Sequence, residues 1–276
     1  MAFGKCPPDS QLNIAGFIKS WVFRSFGWPS FLRRLQWHAI IKLVHVRAST
    51  VIVDLGAGPM QYSVELAKHV KVNIVAVDKD VPPNSSGWAS MCGITILSGD
   101  GQALPFADNS VDQILMSSLL HMVPEPDRLL AECHRILKKN GSVVLSVPSH
   151  YHFIPPLFKK HPNVLKNLLK LPPIYSDFIH QLNERFHVGG PQGYYSLNEL
   201  IELVGKCQFR VETHRYSPGW LGSLIWEMGV LAYFRIGNIA FHLLFLAYPV
   251  ALLYDIVFKP VLGSEHIIKV TPLYEK

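Results

Sequence analysis

Three acidic residues close three short apolar runs, and each stands beside residues that leave the backbone accessible. Val51-Ile-Val-Asp54 leads into Leu55-Gly56-Ala57-Gly58, Val72–Val77 ends at Asp78, and Ile94–Leu97 ends at Gly99-Asp100-Gly101-Gln102. A Gly-x-Gly turn lets the chain approach a ligand closely, and the start of a helix just beyond it favours an anionic group. A carboxylate at the end of a second strand accepts hydrogen bonds from sugar hydroxyls. One at the end of a third accepts from an exocyclic amine such as that of adenine. Ligands of open α/β sheets lie outside the carboxyl ends of the strands, so the three acids border one crevice. Taken singly, each Asp is also what a turn or helix cap uses. Together and in this order they point to a nucleoside ligand.

The elements that must position these residues follow from the hydrophobic rhythm. From Thr50 onward, short apolar strands alternate with helical segments. The strands are Val51–Leu55, Val72–Val77, Ile94–Leu97, Val111–Met116 and Ser142–Val147. Helices are predicted from about Pro59 to His69 and over Asp127–Leu137, where Leu129, Leu130, Cys133 and Leu137 face inward and Asn140-Gly141 is the stop. Continuous apolar strands separated by helices imply a parallel sheet covered on both faces, and right-handed crossovers make it doubly wound. Ser196-Leu-Asn-Glu199 reads as a capping box opening a helix to about Lys206, followed by strands at Gln208–Tyr216 and His266–Thr271. Residues 148–193, rich in Pro, His, Lys and aromatics, read as a helical cap.

Within this frame, Val51–Met60, Val75–Asp80, Gly99–Phe106, Asp112–Val123 and Arg135–Pro148 resemble the successive motifs of class I S-adenosylmethionine-dependent methyltransferases, in the branch of small-molecule and lipid methylators. The resemblance covers about residues 40–148, and more loosely 194–216 with 265–273. It implies a seven-stranded Rossmann-like sheet and S-adenosylmethionine as cofactor. Gly56, Ala57 and Gly58 would pass under its methionine part, with Asp54 fixing the turn. Asp78 would hold the ribose, with Lys79 beside it. Asp100 would meet the adenine amine, Gly101 and Gln102 would line the base, and Ser117 and His121 would face the sulfonium end. Two positions depart from the family: Met60 stands where many members have a third glycine, and Asp80–Gly87 is a poor helix sequence where a helix usually follows. A nicotinamide dehydrogenase would need glycine at position 61, which is Gln61, and would not explain Gly99-Asp-Gly-Gln102.

Methyl transfer from a sulfonium mainly requires positioning of the acceptor and exclusion of water. A hydroxyl or amine acceptor also gives up a proton, which calls for a base of matched pKa. His121 is the first candidate for that base because it follows the fourth strand. His150, Tyr151 and His152, after the fifth, are the second. The alternative for each is local packing or capping.

Composition adds a second theme. Hydrophobic residues make up 49% of the 276 and charged ones only 17%, which is greasy for a water-exposed enzyme. The excess lies at Trp220–Phe258, whose charges are Glu227, Arg235 and Asp255 alone. Ile236–Tyr254 has no charge and approaches the length of a bilayer span. The strands flanking this stretch are neighbours in the resembled fold, so both its ends emerge on one side and a single crossing is forbidden. A helical hairpin, re-entrant or interfacial, is the expectation. Arg235 suits the bend, since a charge mid-membrane costs roughly 2.5–3.5 kcal/mol, and Trp220, Trp226, Tyr233, Tyr248 and Tyr254 suit headgroup level. The alternative is a hairpin that packs on protein, as a lid or dimer interface.

The net charge is +6, and no acid lies between Ser10 and Val53, where Lys19, Arg24, Arg33, Arg34, Lys42 and Arg47 mix with Trp21, Phe23, Phe26, Trp28, Phe31 and Trp37. Apolar anchoring with basic charge gives two membrane-binding signals. The expected acceptor is therefore lipid-like, a polyprenyl-type molecule or a lipid-linked glycan, met through peripheral or monotopic contact. Nucleic acid is not an expected partner, since no Asn-Pro-Pro-Tyr-type base-handling motif is present. Cys6, Cys92, Cys133 and Cys207 show neither zinc nor disulfide spacing, so no metal is expected, and a reducing compartment suits them. No signal-peptide pattern opens the chain, which places the expected protein at the cytoplasmic face of a membrane. The expected organisation is an amphipathic helical segment at 1–47, the cofactor-binding core at 48–148, a cap insertion at 149–193, and the rest of the core at 194–276 with the hairpin at 219–258.

Overall fold

The computed structural model describes residues 31–45, 49–69, 72–81, 92–150, 194–236 and 239–274. The elements are α1 (Phe31–Ile41), β1 (Val51–Leu55), α2 (Gln61–His69), β2 (Asn73–Asp78), β3 (Ile94–Ser98), β4 (Val111–Ser117), a 3-10 turn (Leu120–Met122), α3 (Pro126–Ile136), β5 (Leu137–Pro148), α4 (Leu197–Lys206), β6 (Phe209–Tyr216), α5 (Trp220–Ile236), α6 (Ile239–Phe258) and β7 (Glu265–Pro272). Most of the amphipathic segment expected at 1–47, Tyr151, His152 and nearly all of the cap lie outside the described residues.

The strands form one sheet in the order β3-β2-β1-β4-β5-β7-β6. β1 to β5 are parallel, and β7 runs antiparallel to both β5 and β6. Side chains alternate between two apolar layers, as strand geometry demands. Val53 and Leu55 of β1, with Ile114 and Met116 of β4, pack under α3 and α4 through Leu129, Leu130, Cys133, Leu200 and Val204. Ile52 and Leu115 point the other way, onto Trp37 and Ile40 of α1 and Tyr62, Val64 and Leu66 of α2. Each such fully buried aliphatic side chain contributes roughly 1.5–3 kcal/mol, so both covers are fixed firmly to the sheet.

Several boundaries differ from the sequence reading for local reasons. α2 begins at Gln61, because Met60 takes a left-handed φ of 57° and cannot extend the helix to Pro59. α3 ends at Ile136 without help from Asn140-Gly141. Leu137 is already extended, and 137–141 form the start of β5, with a register shift opposite Val111–Gln113. Gly141 is needed there for space, since a Cβ would come within 2.9 Å of the Asp112 carbonyl oxygen. The capping box of α4 forms as read, with the Glu199 amide donating to Ser196 Oγ at 3.2 Å and the Ser196 amide to Glu199 Oε2 at 2.7 Å.

The basic-aromatic segment is corrected where it is described. Arg33 turns inward, Arg34 lies 3.6 Å from Glu65, and Trp37 is core at 3% exposure. These three residues spend their charge and surface on the fold rather than on an outward face. Lys42 stays exposed.

The apolar stretch folds as two helices, α5 and α6. Gly222 faces Ala251 and Gly229 faces Leu244, so the helices run antiparallel, and the missing Cβ at Gly229 makes room for the Leu244 side chain. Leu35 of α1 packs against Leu244, Tyr248 and Ala251 of α6, with Ile225 and Trp226 of α5 alongside. Trp226 and Tyr248 therefore pack inward and do not form part of an outer aromatic belt. Among the described residues, no helix is long and apolar enough to cross a membrane.

Candidate active site

At the carboxyl edge of the sheet, the register brings the strand ends level. Leu55 pairs with Val77 and Asp78 with Ser98, so the glycine turn, Asp78 and the loop after β3 sit side by side. They surround a hollow of about 250 Å³. Its lining includes Gly56, Asp78, Lys79, Asp100, Gly101 and Gln102, closed on the β4 side by Leu119 and Met122. β1 is the strand from which the sheet is wound both ways, so the hollow lies at the topological switch point, where α/β sheets bind ligands.

The turn after β1 is held by two amides, Gly56 and Ala57, which both donate to the Val77 carbonyl, at 2.8 and 3.1 Å. Gly56 has φ 72°, and a Cβ there would lie 2.9 Å from both methyl groups of Leu119, so glycine is required on two counts. Asp78 Oδ2 accepts from the Gly58 amide at 2.6 Å and Oδ1 from the Asp80 amide at 3.0 Å. An ionised carboxylate offers about four acceptor positions, so two remain for hydroxyls of a ligand. Asp100 Oδ1 accepts from the Gln102 amide at 3.0 Å, and its other oxygen lies 3.9 Å from Lys79 Nζ.

The loop that carries Asp100 is pinned from behind by Arg135 and Glu132. Arg135 donates to the carbonyls of Leu104 at 3.0 Å and Phe106 at 2.9 Å, while Glu132 Oε1 accepts from the Leu104 amide at 2.7 Å. Arg135 holds Glu132 ionised below the usual carboxylate range. This explains why the Gly99–Phe106 and Arg135 motifs occur together. Asp112 works at the opposite edge: it accepts from the Val51 amide at 2.9 Å and from Lys138 at 2.8 Å, tying β4 to β1.

Asp54 sits beneath the hollow rather than in its wall. It is 2% exposed and accepts from the Ser63 hydroxyl of α2. Burial pushes its carboxyl up to about 6, against the lowering effect of the Ser63 bond. A carboxyl raised in the folded state protonates there before it does in the unfolded chain. Its stabilising contribution is therefore complete below about pH 4 and lost as pH rises through about 6. Asp54→Asn is expected to be more stable than the parent above that range, by on the order of 2 kcal/mol. The difference should vanish below about pH 4. Thermal unfolding followed across pH checks this.

A polar cluster the sequence did not suggest lies on the α1–α2 side of the same edge. Ser117 of β4 pairs with Ser146 of β5, whose hydroxyls are 3.3 Å apart. Gln36 of α1, 1% exposed, is the hub. Its Nε2 donates to Ser146 Oγ at 2.6 Å and to Glu265 Oε2, while its Oε1 accepts from the Tyr62 hydroxyl and from Arg33 Nη1 at 3.0 Å. Arg33 also donates to Ser118 Oγ at 2.9 Å and lies 3.5 Å from Ser117 Oγ. Burial pushes Glu265 up to about 7, opposed by the Arg33 charge and a hydrogen bond to Ser146. Burial likewise pushes Tyr62 up to about 12. A polar residue at position 36, amid the Leu32, Leu35, Ala39, Leu43 stripe, was the available signal.

His121 lies in the 3-10 turn, 4% exposed, between the hollow-lining Leu119 and Met122. His150 is at the far end of β5, 3.5 Å from Glu199. Among the described residues, no group of three or more His, Cys, Asp or Glu side chains gathers as a metal site would require.

The doubly wound sheet with a reversed seventh strand has the Rossmann-like methyltransferase fold, and the hollow at its carboxyl edge is bordered by a Gly-x-Gly turn, Asp78 and Asp100. Residues 53–145 match the family described as Methyltransferase domain. The chain is 36% identical over 104 residues to demethylmenaquinone methyltransferase of Renibacterium salmoninarum, covering 38% of this chain and 44% of that one. In general it spans about half the length, or less, of the first curated relatives it matches. Similar solved structures include phosphoethanolamine N-methyltransferase 2 of Haemonchus contortus, with TM-score 0.59, 16% identity, and coverage of 96% of this chain and 58% of that one. A methyltransferase of Thermotoga maritima, described as a possible histamine N-methyltransferase, has TM-score 0.54 and 17% identity and covers 94% of this chain and 95% of that one. At such identities these two establish the fold.

Proposed function

We propose that this protein is an S-adenosylmethionine-dependent methyltransferase that works at the cytoplasmic face of a membrane on a lipid-like acceptor. The observation that carries the reading is the carboxyl-edge hollow. Its carboxylates have acceptor capacity to spare, and its wall is glycine where the cofactor must come closest. In this reading Gly56, Ala57 and Gly58 take the methionine part, above the turn that Asp54 and Ser63 brace. Asp78 takes the ribose, with Lys79 at its side. Asp100, Gly101 and Gln102 take the adenine, and Ser117 and His121 stand toward the sulfonium. When bound, S-adenosylmethionine supplies an electrophilic methyl group. The protein's part is to orient the acceptor, keep water away and receive a proton.

Support for a lipid-like acceptor comes from α6. Leu243, Leu246, Val250, Leu253 and Val257 recur at helical spacing and are 48–76% exposed, and Phe258, Val261 and Leu262 extend the patch at 68%, 82% and 48%. A continuous apolar face of this kind is unusual on a surface that meets only water. Beside it, Lys42, Arg215 and Lys259 line a groove with Asp255 between α1, β6 and α6. Basic charge next to an apolar helix suits an anionic lipid surface. The relative from Renibacterium salmoninarum is named for a quinone substrate, which is in keeping with a hydrophobic ring acceptor. Cys92, Cys133 and Cys207 are free thiols, in keeping with a reducing compartment.

Incubation with methyl-labelled S-adenosylmethionine and a total membrane lipid extract tests the reading. The label is expected in the organic phase, with stoichiometric release of S-adenosylhomocysteine. A parallel incubation with the water-soluble metabolite fraction serves as the comparison, and label transferred only there would overturn the lipid acceptor.

A further inference from the structure

Apart from Ser117, the cluster around Gln36 has no place in cofactor binding as proposed above, yet it occupies the edge of the sheet where the acceptor must approach. Asp54 pairs with Leu115 of β4, so Ser117 stands level with the glycine turn, and Ser117 pairs in turn with Ser146. Pro148 pairs with Glu265, which places Glu265 one strand further along the same edge and slightly above it. Asp54, Ser117, Ser146 and Glu265 share the sheet face covered by α1 and α2, since their neighbours Ile52, Leu115, Val144 and Ile267 all pack there. The row leads from the floor of the methionine turn to a carboxylate.

We infer that Glu265 is the base that accepts the proton of the methyl acceptor, and that the acceptor bears an acidic, phenol-like or enol-like hydroxyl. The inference rests on the methyltransferase reading and adds the catalytic group and the chemical class of the substrate. Glu265 is half-buried at this edge, with Gln36 hydrogen-bonded to it and Arg33 and Ser146 nearby. A purely structural use of this place would be served better by apolar side chains, because buried ionic groups often cost more than they return. The chain instead sets Gln36 of α1 against it, with the Arg33 charge close enough to favour the carboxylate. Among the described residues, the charged and titratable side chains facing Glu265 are Arg33 of α1, which lowers its pKa, and Tyr62 of α2, which is kept protonated. From β5 it meets the neutral Ser146, and just past the end of β6 the Ser217 amide donates to its backbone carbonyl at 3.1 Å. His266, next in sequence, faces the opposite layer and bonds the Tyr195 carbonyl. A carboxyl held at about 7 is matched to an acidic hydroxyl at neutral pH.

The step balances simply. The acceptor O–H bond breaks and its proton passes to a Glu265 oxygen. The oxygen pair forms the new bond to the methyl carbon; where the conjugated ring carbon forms it instead, that carbon then gives up its own hydrogen as the proton that restores the hydroxyl. The pair of the breaking carbon–sulfur bond stays on sulfur, leaving S-adenosylhomocysteine, and Glu265 returns its proton to water.

The test compares wild type with Glu265→Gln and Arg33→Met, using total membrane lipid extract as the probe and S-adenosylhomocysteine release as the readout, from about pH 5 to about pH 9. Wild-type turnover is expected to rise with a midpoint near the Glu265 value of about 7. Glu265→Gln should lower turnover about 100-fold or more and abolish that pH limb, as removal of a general base does, while S-adenosylmethionine affinity stays within about threefold of the parent value. Arg33→Met should move the limb to higher pH, since the guanidinium no longer favours the carboxylate. In carbon-13 NMR of the folded protein, a glutamate carboxyl titrating near 7 should be present in wild type and absent in Glu265→Gln. Equal turnover in wild type and Glu265→Gln, or no glutamate titrating in that range, overturns the inference and leaves the methyltransferase reading standing. Absence of release from wild type counts against that reading itself.

Discussion

Asp78→Ala is expected to weaken S-adenosylmethionine binding by about 100-fold while leaving the fold intact. The carboxylate accepts from the Gly58 and Asp80 amides at 2.6 and 3.0 Å and so shapes the glycine turn, and in the proposed binding mode its remaining positions take the ribose. A hydrogen bond to a charged acceptor contributes about 1.5–3 kcal/mol, and each 1.4 kcal/mol is about tenfold in affinity. Loss of the ribose contacts together with a loosened turn accounts for the two decades. Asp78→Asn should fall between, because its amide keeps one acceptor oxygen but adds donors where the turn presents amide hydrogens. Calorimetric titration of both variants, with circular dichroism to verify folding, checks the ordering wild type, Asn, Ala. Equal affinities in all three would remove Asp78 from the binding site.

The second large effect belongs to α6. Replacing Leu246 and Leu253 by glutamate should abolish binding to vesicles of anionic phospholipid while S-adenosylmethionine binding is retained. Both leucines stand clear of the protein, at 76% and 62% exposure, so the change costs the fold little. Withdrawing two leucines from an apolar phase costs about 3 kcal/mol or more, over 100-fold in partitioning, before the added charge is counted. Flotation of wild type and the double variant on vesicles provides the readout. If wild type stays at the bottom of the gradient and the substitutions instead dissociate a dimer, the face is a protein interface and the membrane reading fails.

The parts of this molecule legible in its sequence are those set by local rules. Strand ends carry their own punctuation, so Asp54-Leu-Gly56-Ala-Gly58, Asp78 and Gly99-Asp100-Gly101 announced a crevice without knowledge of strand order. The 196–199 capping box needed only two side chains three residues apart. What the sequence withheld depends on long-range pairing. Gln36 and Glu265 are hydrogen-bonded across 229 residues, and nothing near either indicates the other. Arg33 and Arg34 resemble members of a basic face as long as their partners, Ser118 and Glu65, remain unassigned. Burial had the same effect on Trp226 and Tyr248. An aromatic residue between apolar neighbours reads equally as an interfacial anchor or as packing, and the fit of α1 against α5 and α6 decided for packing. The start of β5 was misplaced because Asn140-Gly141 is common turn chemistry, whereas Leu137–Asn140 are drawn into the sheet alongside β4.

The claim on which the whole account depends is that the hollow between the ends of β1, β2 and β3 holds a sulfonium nucleoside. Isothermal titration of the intact chain with S-adenosylmethionine tests it most directly. The account predicts saturable binding of one molecule per chain, displaced by S-adenosylhomocysteine and sharply weakened by Asp78→Ala. Absence of binding, or binding untouched by that substitution, would contradict it.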